Sequence, residues 1–293
     1  MKQWAVSGAL YAALVASSAT AADLPKLKSG AVELRDDWSG AYLGLNAGGL
    51  WGNNNATNIS TWPAKDLAGY WTTGALLSGG LNAGAAAGVI GGGQAGYNWR
   101  MDIAGGRLVA GLEADFQGVA SNKASGQAPM SVAVLSFSNH NNFTTYNTRG
   151  SSNYLSYLGT ARGRIGLLLT PALLVYGTGG LAYGGANLSL NQFQQFGVAI
   201  GWSDSNSART LAGWTAGGGV EWMFLPNWSA KAEYLYYDLG VMTTQSQFVA
   251  YSPSGAQWTY GAAASRRFSG NLARIGVNYH FNWTPSHNIT LRD

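Results

Sequence analysis

From residue 41 onward the chain alternates. In eight segments apolar or aromatic side chains occupy every second position, with small or polar residues between them. That is the period of a β-strand whose two faces meet unlike surroundings. The first, 41–52, sets Ala41, Leu43, Leu45, Ala47 and Trp51 against Gly44, Asn46 and Gly48. The second, 89–100, sets Val89, Ala95, Tyr97 and Trp99 against Gln94, Asn98 and Arg100. In 108–117, Leu108, Leu112, Ala114 and Phe116 oppose Glu113, Asp115 and Gln117; in 157–167, Tyr157, Ala161, Ile165 and Leu167 oppose Thr160, Arg162 and Arg164. Segment 173–184 sets Val175, Leu181 and Tyr183 against Thr178 and Gly180; segment 214–223 sets Trp214, Val220 and Trp222 against Thr215 and Glu221. In 228–237, Trp228, Ala232, Tyr234 and Tyr236 face away from Lys231, Glu233 and Tyr237; in 273–281, Ile275, Val277, Tyr279 and Phe281 face away from Arg274, Asn278 and His280.

The connections alternate in length. Those near 101–107, 168–172 and 224–227 are short, and two hold a proline, Pro171 and Pro226, which suits a tight turn. The others, roughly 53–84, 118–153, 186–208 and 240–265, are long and rich in Asn, Ser, Thr, Gln and Gly. Short turns at one rim and long loops at the other are the layout of outer-membrane barrels, with the short side periplasmic. The pattern therefore predicts an all-β fold: a transmembrane antiparallel up-and-down β-barrel of eight strands, with short periplasmic turns and four long extracellular loops. With the first strand running outward, the aromatics of the apolar faces fall at two levels. Tyr97, Trp99, Trp222, Trp228, Tyr279 and Phe281 form an expected periplasmic girdle, and Trp51, Phe116, Tyr157, Tyr183, Trp214 and Tyr236 an extracellular one.

Composition narrows the class. Charged residues make up 10% of the chain and aromatics 12%, with 42 Gly and a mean hydropathy of −0.03. A helical membrane protein would be far more hydrophobic. A soluble barrel would also alternate, but its charged face would be its exterior, and here each polar face carries only one or two charges, too few for a soluble surface. Lys2 and the apolar run Val6–Ala16, followed by Ala19-Thr20-Ala21, read as a signal peptide over 1–21. Residues 22–37 read as a periplasmic linker, 38–281 as the barrel and 282–293 as a tail. The chain has no cysteine, so no disulfide framework or thiol chemistry is available. Its positive charges do not cluster in a run, and an exported protein meets no genome, so nucleic acid is not an expected partner.

Several blocks resemble the small outer-membrane β-barrel family of alphaproteobacteria, related to OmpA-type and opacity-type barrels. They are Ala22-Asp23-Leu24-Pro25, Trp38-Ser39-Gly40-Ala41-Tyr42-Leu43-Gly44, Gly111-Leu112-Glu113-Ala114-Asp115 and Ala161-Arg162-Gly163-Arg164-Ile165-Gly166. Further along come Tyr176-Gly177-Thr178-Gly179-Gly180-Leu181-Ala182-Tyr183, Gly213–Glu221, Ala232–Gly240 and Arg274–Phe281. The resemblance touches every strand but not the loops. It implies an outer-membrane location, contact with outer-membrane lipid and lipopolysaccharide, and insertion by the barrel-assembly machinery. Its members include porin-like surface antigens and hemin-binding surface proteins, so it does not fix one activity. Members usually end at the last aromatic, here Phe281, whereas this chain continues to Asp293.

By parity, Arg100, Arg162, Arg164, Lys231 and Arg274 point into the barrel together with Glu113, Asp115, Glu221 and Glu233. The interior of an eight-stranded barrel is just wide enough for side chains to fill it. Charges there are costly unless paired. The expectation is a salt-bridge network that plugs the lumen, giving a structural or surface-interaction protein. The alternatives are a small porin with a charge-lined pore, or a receptor for hemin or another extracellular ligand. For hemin, His140 and Tyr146 are the residue types that ligate iron. The three histidines, His140, His280 and His287, are scattered and build no triad, and no metal-ligand spacing or resident cofactor is expected; an enzyme is not.

Overall fold

The computed structural model describes residues 38–63, 77–103, 106–136, 142–196, 199–251 and 257–281. The expected signal peptide 1–21, linker 22–37 and tail 282–293 lie outside the described residues, as does His140. The strands are β1 (Gly40–Gly52), β2 (Thr57–Pro63), β3 (Gly79–Leu81), β4 (Ala87–Ile103), β5 (Gly106–Ser121) and β6 (Ala124–Gln127). They continue with β7 (Ser131–Ser136), β8 (Asn142–Thr170), β9 (Leu173–Phe196), β10 (Ala199–Leu225), β11 (Trp228–Tyr251) and β12 (Gln257–Phe281). Among the described residues no helix is long and apolar enough to cross a membrane.

Eight strands form the wall in the order β1–β4–β5–β8–β9–β10–β11–β12. β12 pairs back onto β1, from Ala41↔Phe281 to Gly52↔Gly270. The sheet thus closes on itself and leaves no open edge at this level, as a lipid environment demands. The apolar faces point outward: Leu45 is 74% exposed and Ile275 69%. Large aliphatic side chains shown so openly around a closed wall have lipid as their natural solvent.

The eight staves are those the alternation predicts, but the long connections are not loops along their length. β9 and β10 stay paired from Leu173↔Trp222 up to Phe196↔Ala199, and β11 and β12 up to Tyr251↔Gln257. Most of 186–208 and 240–265 is therefore ladder. Period 2 persists there, with Leu188, Leu190, Gln192 and Gln194 buried on alternate positions of β9. Beyond the aromatic level both faces carry polar residues, and the contrast that reveals a strand in sequence fades. The short strands carry the wall further: β2 pairs with β12, β3 with β2, and β6 and β7 with β8. The ladder is irregular at several places, among them between Leu155 and Leu158 on β8 and between Asp238 and Val241 on β11. Between Asp238 and Val241, Gly240 adopts φ +82°, and its N–H donates to Asp238 Oδ1 at 2.9 Å. Only glycine takes that backbone readily, so the bulge is written into the sequence.

Candidate functional site in the filled lumen

The inward residues stack in three layers. Nearest the short-turn rim, Trp38, Val109, Leu174, Tyr176 and Met223 form an apolar floor. Trp38 is fully buried, and its indole N–H donates to Pro171 O at 2.9 Å, which ties the start of the barrel across its base. Above the floor lie the charges. Outward of them again is an apolar ceiling that includes Leu50, Ile90, Leu158, Leu235, Tyr237 and Leu272.

Strand register brings the charges together. Glu113 is the cross-strand partner of Arg162, Glu233 of Arg274, and Glu221 of Lys231. Opposite charges thus sit side by side on three rungs, a favourable cross-strand pairing. Across the lumen they interlock. Glu113 accepts from Lys231 Nζ at 2.8 and 2.9 Å, from Arg274 Nη2 at 3.4 Å, from the Tyr42 hydroxyl at 2.7 Å, and from Arg162. Asp115 accepts from Arg274 Nη2 at 2.9 Å, Arg162 Nη2 at 3.1 Å and Thr160 Oγ1 at 2.7 Å. Glu233 accepts from Arg274 Nε at 2.8 Å, Arg162 Nη1 at 3.0 Å and the Tyr176 hydroxyl at 3.0 Å.

Glu221 forms the lower corner. It accepts from Arg164 Nη1 at 2.9 Å, Asn278 Nδ2 at 2.6 Å and Ser229 Oγ at 2.5 Å, with His280 Nε2 at 3.4 Å. The Arg164 guanidinium also donates to Asn98 Oδ1 at 2.7 and 2.9 Å, and lies over the rings of Tyr42 and Tyr176, at 4.7 and 5.3 Å from their centres. Side-chain exposure of all eight charged residues is 1% or less. Burying this much charge costs several kcal/mol per ion, and only dense pairing and hydrogen bonding offset it. Four cations against four anions, each multiply bonded, meet that condition.

Arg100 stands apart from this group. Its side chain is at the short-turn rim, partly exposed, with Nη2 3.1 Å from Asp102. The parity reading places it inward, but it lies beyond the floor, where a strand's inner face opens to solvent. Small inward residues make the room the network needs. A Cβ at Gly96 would lie 2.3 Å from the Tyr42 hydroxyl oxygen, so glycine there lets the phenol reach Glu113. The sequence reading missed Tyr42, Tyr176, Trp38 and the ceiling. The signal was available: in β1, β8, β11 and β12 the inward parity continues outward into Leu50, Leu158, Leu235 and Leu272.

On the outside, ring contacts connect residues within each aromatic set. Tyr97 meets Trp99 at 4.9 Å, Trp228 meets Tyr279 at 5.2 Å, and Tyr279 meets Phe281 at 5.1 Å. Trp222 touches Phe224 at 6.0 Å. At the other level, Phe116 meets Tyr157 at 5.6 Å and Trp214 meets Tyr236 at 5.4 Å, while Trp51 meets Tyr234 at 6.4 Å. Tyr183 is exposed on the outer face of β9. Phe224 and Tyr234 join these sets without having been expected in them. Beyond the second level, the buried Arg266 donates to Gly84 O at 2.7 Å, and burial pushes its guanidinium below its usual pKa. Tyr146, the remaining hemin candidate, is half-buried on the outer face of β8. Among the described residues, no group of three or more His, Asp or Glu is placed to hold a metal ion.

Residues 9–281 match the family described as the outer membrane protein beta-barrel domain. A 31 kDa outer-membrane immunogenic protein of Brucella melitensis biotype 1 is 35% identical over 277 residues, covering 93% of this chain and 98% of that one. A 22 kDa outer membrane protein of Rhizobium leguminosarum bv. viciae is 29% identical over 49% of each chain. Among solved structures, the outer membrane protein OprG from Pseudomonas aeruginosa aligns over 84% of this chain and 99% of its own, at 10% identity and a TM-score of 0.37. With its closed wall, lipid-exposed apolar face, the family match over residues 9–281 and the Brucella relative at 35% identity, the chain belongs to the outer-membrane β-barrel family and resides in the bacterial outer membrane, in contact with its lipid.

Proposed function

We propose that this chain is a sealed surface barrel, whose lumen conducts nothing and whose role is carried by the sheet that extends beyond the outer aromatic level. One observation carries this reading: the interlocked charges lie between an apolar floor and an apolar ceiling. An ion entering from either side would have to cross a dry layer before it met a counter-charge, and isolated charges pass such layers at a cost of many kcal/mol. A charge-lined porin needs charges that face a wet path, whereas the eight charged side chains here are 1% exposed or less. The aromatic sets then anchor the barrel at the two interfaces, with the short turns periplasmic. The barrel-assembly machinery is the expected partner in biogenesis, and lipopolysaccharide the expected neighbour in the outer leaflet. The role is non-enzymatic: it is display and contact at the cell surface, as the immunogenic character in the Brucella relative's name suggests. For hemin, His140 lies outside the described residues, and among the described residues no group of three or more His, Asp or Glu is placed to bind iron with Tyr146.

The test is conductance in a planar bilayer of protein whose folding is verified by its heat-dependent shift on a denaturing gel. The sealed barrel gives a silent bilayer. Steady single-channel openings from folded wild-type protein would sink the proposal in favour of a pore.

A further inference from the structure

The upper wall carries a built hollow on its outer face that the sealed-barrel reading does not use. It has a volume of about 1000 Å³, at the upper end of the range of about 300–1,000 Å³ for small-molecule sites. Its floor is two rungs of the β8–β9–β10 sheet. On one rung Thr148, Phe193 and Trp202 are consecutive partners; on the other, Gly150, Asn191 and Asp204. Parity puts these side chains outside, because Gln192, Gln194 and Ser203 between them are buried. Trp202 is 64% exposed although it stands twelve residues beyond the Trp214 level, where lipid no longer accounts for an exposed indole. Beside it Asn191 Nδ2 donates to Asp204 Oδ1 at 2.7 Å. That bond holds the pair in place and leaves Asn191 Oδ1 and the second carboxylate oxygen to accept, with one amide hydrogen to donate.

We infer that this hollow binds an uncharged saccharide, stacked by its C–H face on Trp202 and Phe193 and held through its hydroxyls by Asn191 and Asp204. An aromatic plane offers an apolar surface with an electron-rich face, and a sugar ring presents C–H groups on one side and vicinal hydroxyls at its edge. A carboxylate with a carboxamide gives the acceptors and donor that two adjacent hydroxyls can satisfy together. The same carboxylate disfavours sulfated or otherwise acidic sugars. The inference rests on the surface-display reading only for this face being outside the cell, and a conducting lumen would leave it standing. Because the hollow looks sideways from the wall, the sugar can belong to a neighbouring lipopolysaccharide or to a free glycan.

The experiment applies the full chain, folded in detergent micelles, to an array of immobilised uncharged oligosaccharides and their sulfated counterparts. Retention on at least one uncharged glycan is expected, with the sulfated form at least tenfold weaker. Trp202→Ala should lower that affinity at least tenfold while the heat shift on the gel is unchanged, and Trp202→Phe should restore part of it. A chain that ignores every uncharged glycan, prefers the sulfated ones, or binds equally well as Trp202→Ala overturns the inference. In a second arm, competition by lipopolysaccharide purified from the same cells supports the site with the sugar borne in the same leaflet; binding without competition supports it with a free glycan.

Discussion

Glu113 shows what a single residue has to satisfy inside this barrel. It touches Lys231, Arg162, Arg274 and Tyr42, and a fourth cation, Arg164, lies 3.7 Å away. Glu113→Gln keeps the shape and removes the charge, leaving four buried cations against three anions. Breaking a buried pair on one side costs roughly 3–5 kcal/mol, so the urea midpoint of the folded barrel in detergent should fall by a matching amount. Arg100→Ala is the contrast: its pair with Asp102 is at the rim, and exposed pairs contribute about 0–1 kcal/mol. If Glu113→Gln unfolds at the same urea concentration as wild type, the network is not a stabilising unit. The charges themselves are legible in the sequence, since parity alone points all nine expected residues inward and eight of them meet in the network. That Arg100 falls outside the group is not legible, because parity gives a side chain's direction but not its depth along the lumen.

At the scale of the element, the β9–β10 hairpin is two structures joined end to end. Its lower part, Leu173–Tyr183 against Ala212–Trp222, belongs to the lipid-facing wall, and its upper part rises from it as a polar ladder. Leu190 and Ser205 are partners, so a two-residue Asn-Gly turn can replace Asn191–Asp204 and close the hairpin there. The shortened chain should keep its heat-dependent gel shift, because the closed wall and all three interior layers remain. Loss of the shift would mean that the upper ladder is needed for the barrel to form. The strands that the sequence reading treated as loops lie in this upper zone. The membrane imposes a sharp apolar–polar contrast on the lower segments, and water imposes none on the upper ones.

At the scale of the molecule, floor and ceiling act in series under the sealed-barrel proposal. Trp38→Ala opens the floor at its one fully buried indole, and Leu235→Ala thins the ceiling. Each single variant should stay silent in a planar bilayer, since the other apolar layer persists, and the combined variant should show openings. A single variant that conducts as much as the pair would mean that only one layer bars ions. The closure that makes such layers possible is a property of the whole chain: β1 and β12 meet over twelve rungs, although more than two hundred residues separate Gly52 from Gly270 in sequence.

The sequence by itself determined the staves, their order and the side of the wall each residue faces, because a strand between lipid and a packed interior must alternate and the two solvents differ so much. It also pointed the eight charges of the network into the lumen, since a charge on the lipid face is costly. Only the tertiary structure decided which charges meet, that Tyr42 and Tyr176 bond into them, and that Trp38 closes the floor. Those facts depend on register and on the depth of each strand along the lumen, which a local period does not carry. The pairing of Asn191 with Asp204 beside Trp202 is of the same kind: residues thirteen apart in sequence become neighbours because their strands are in register.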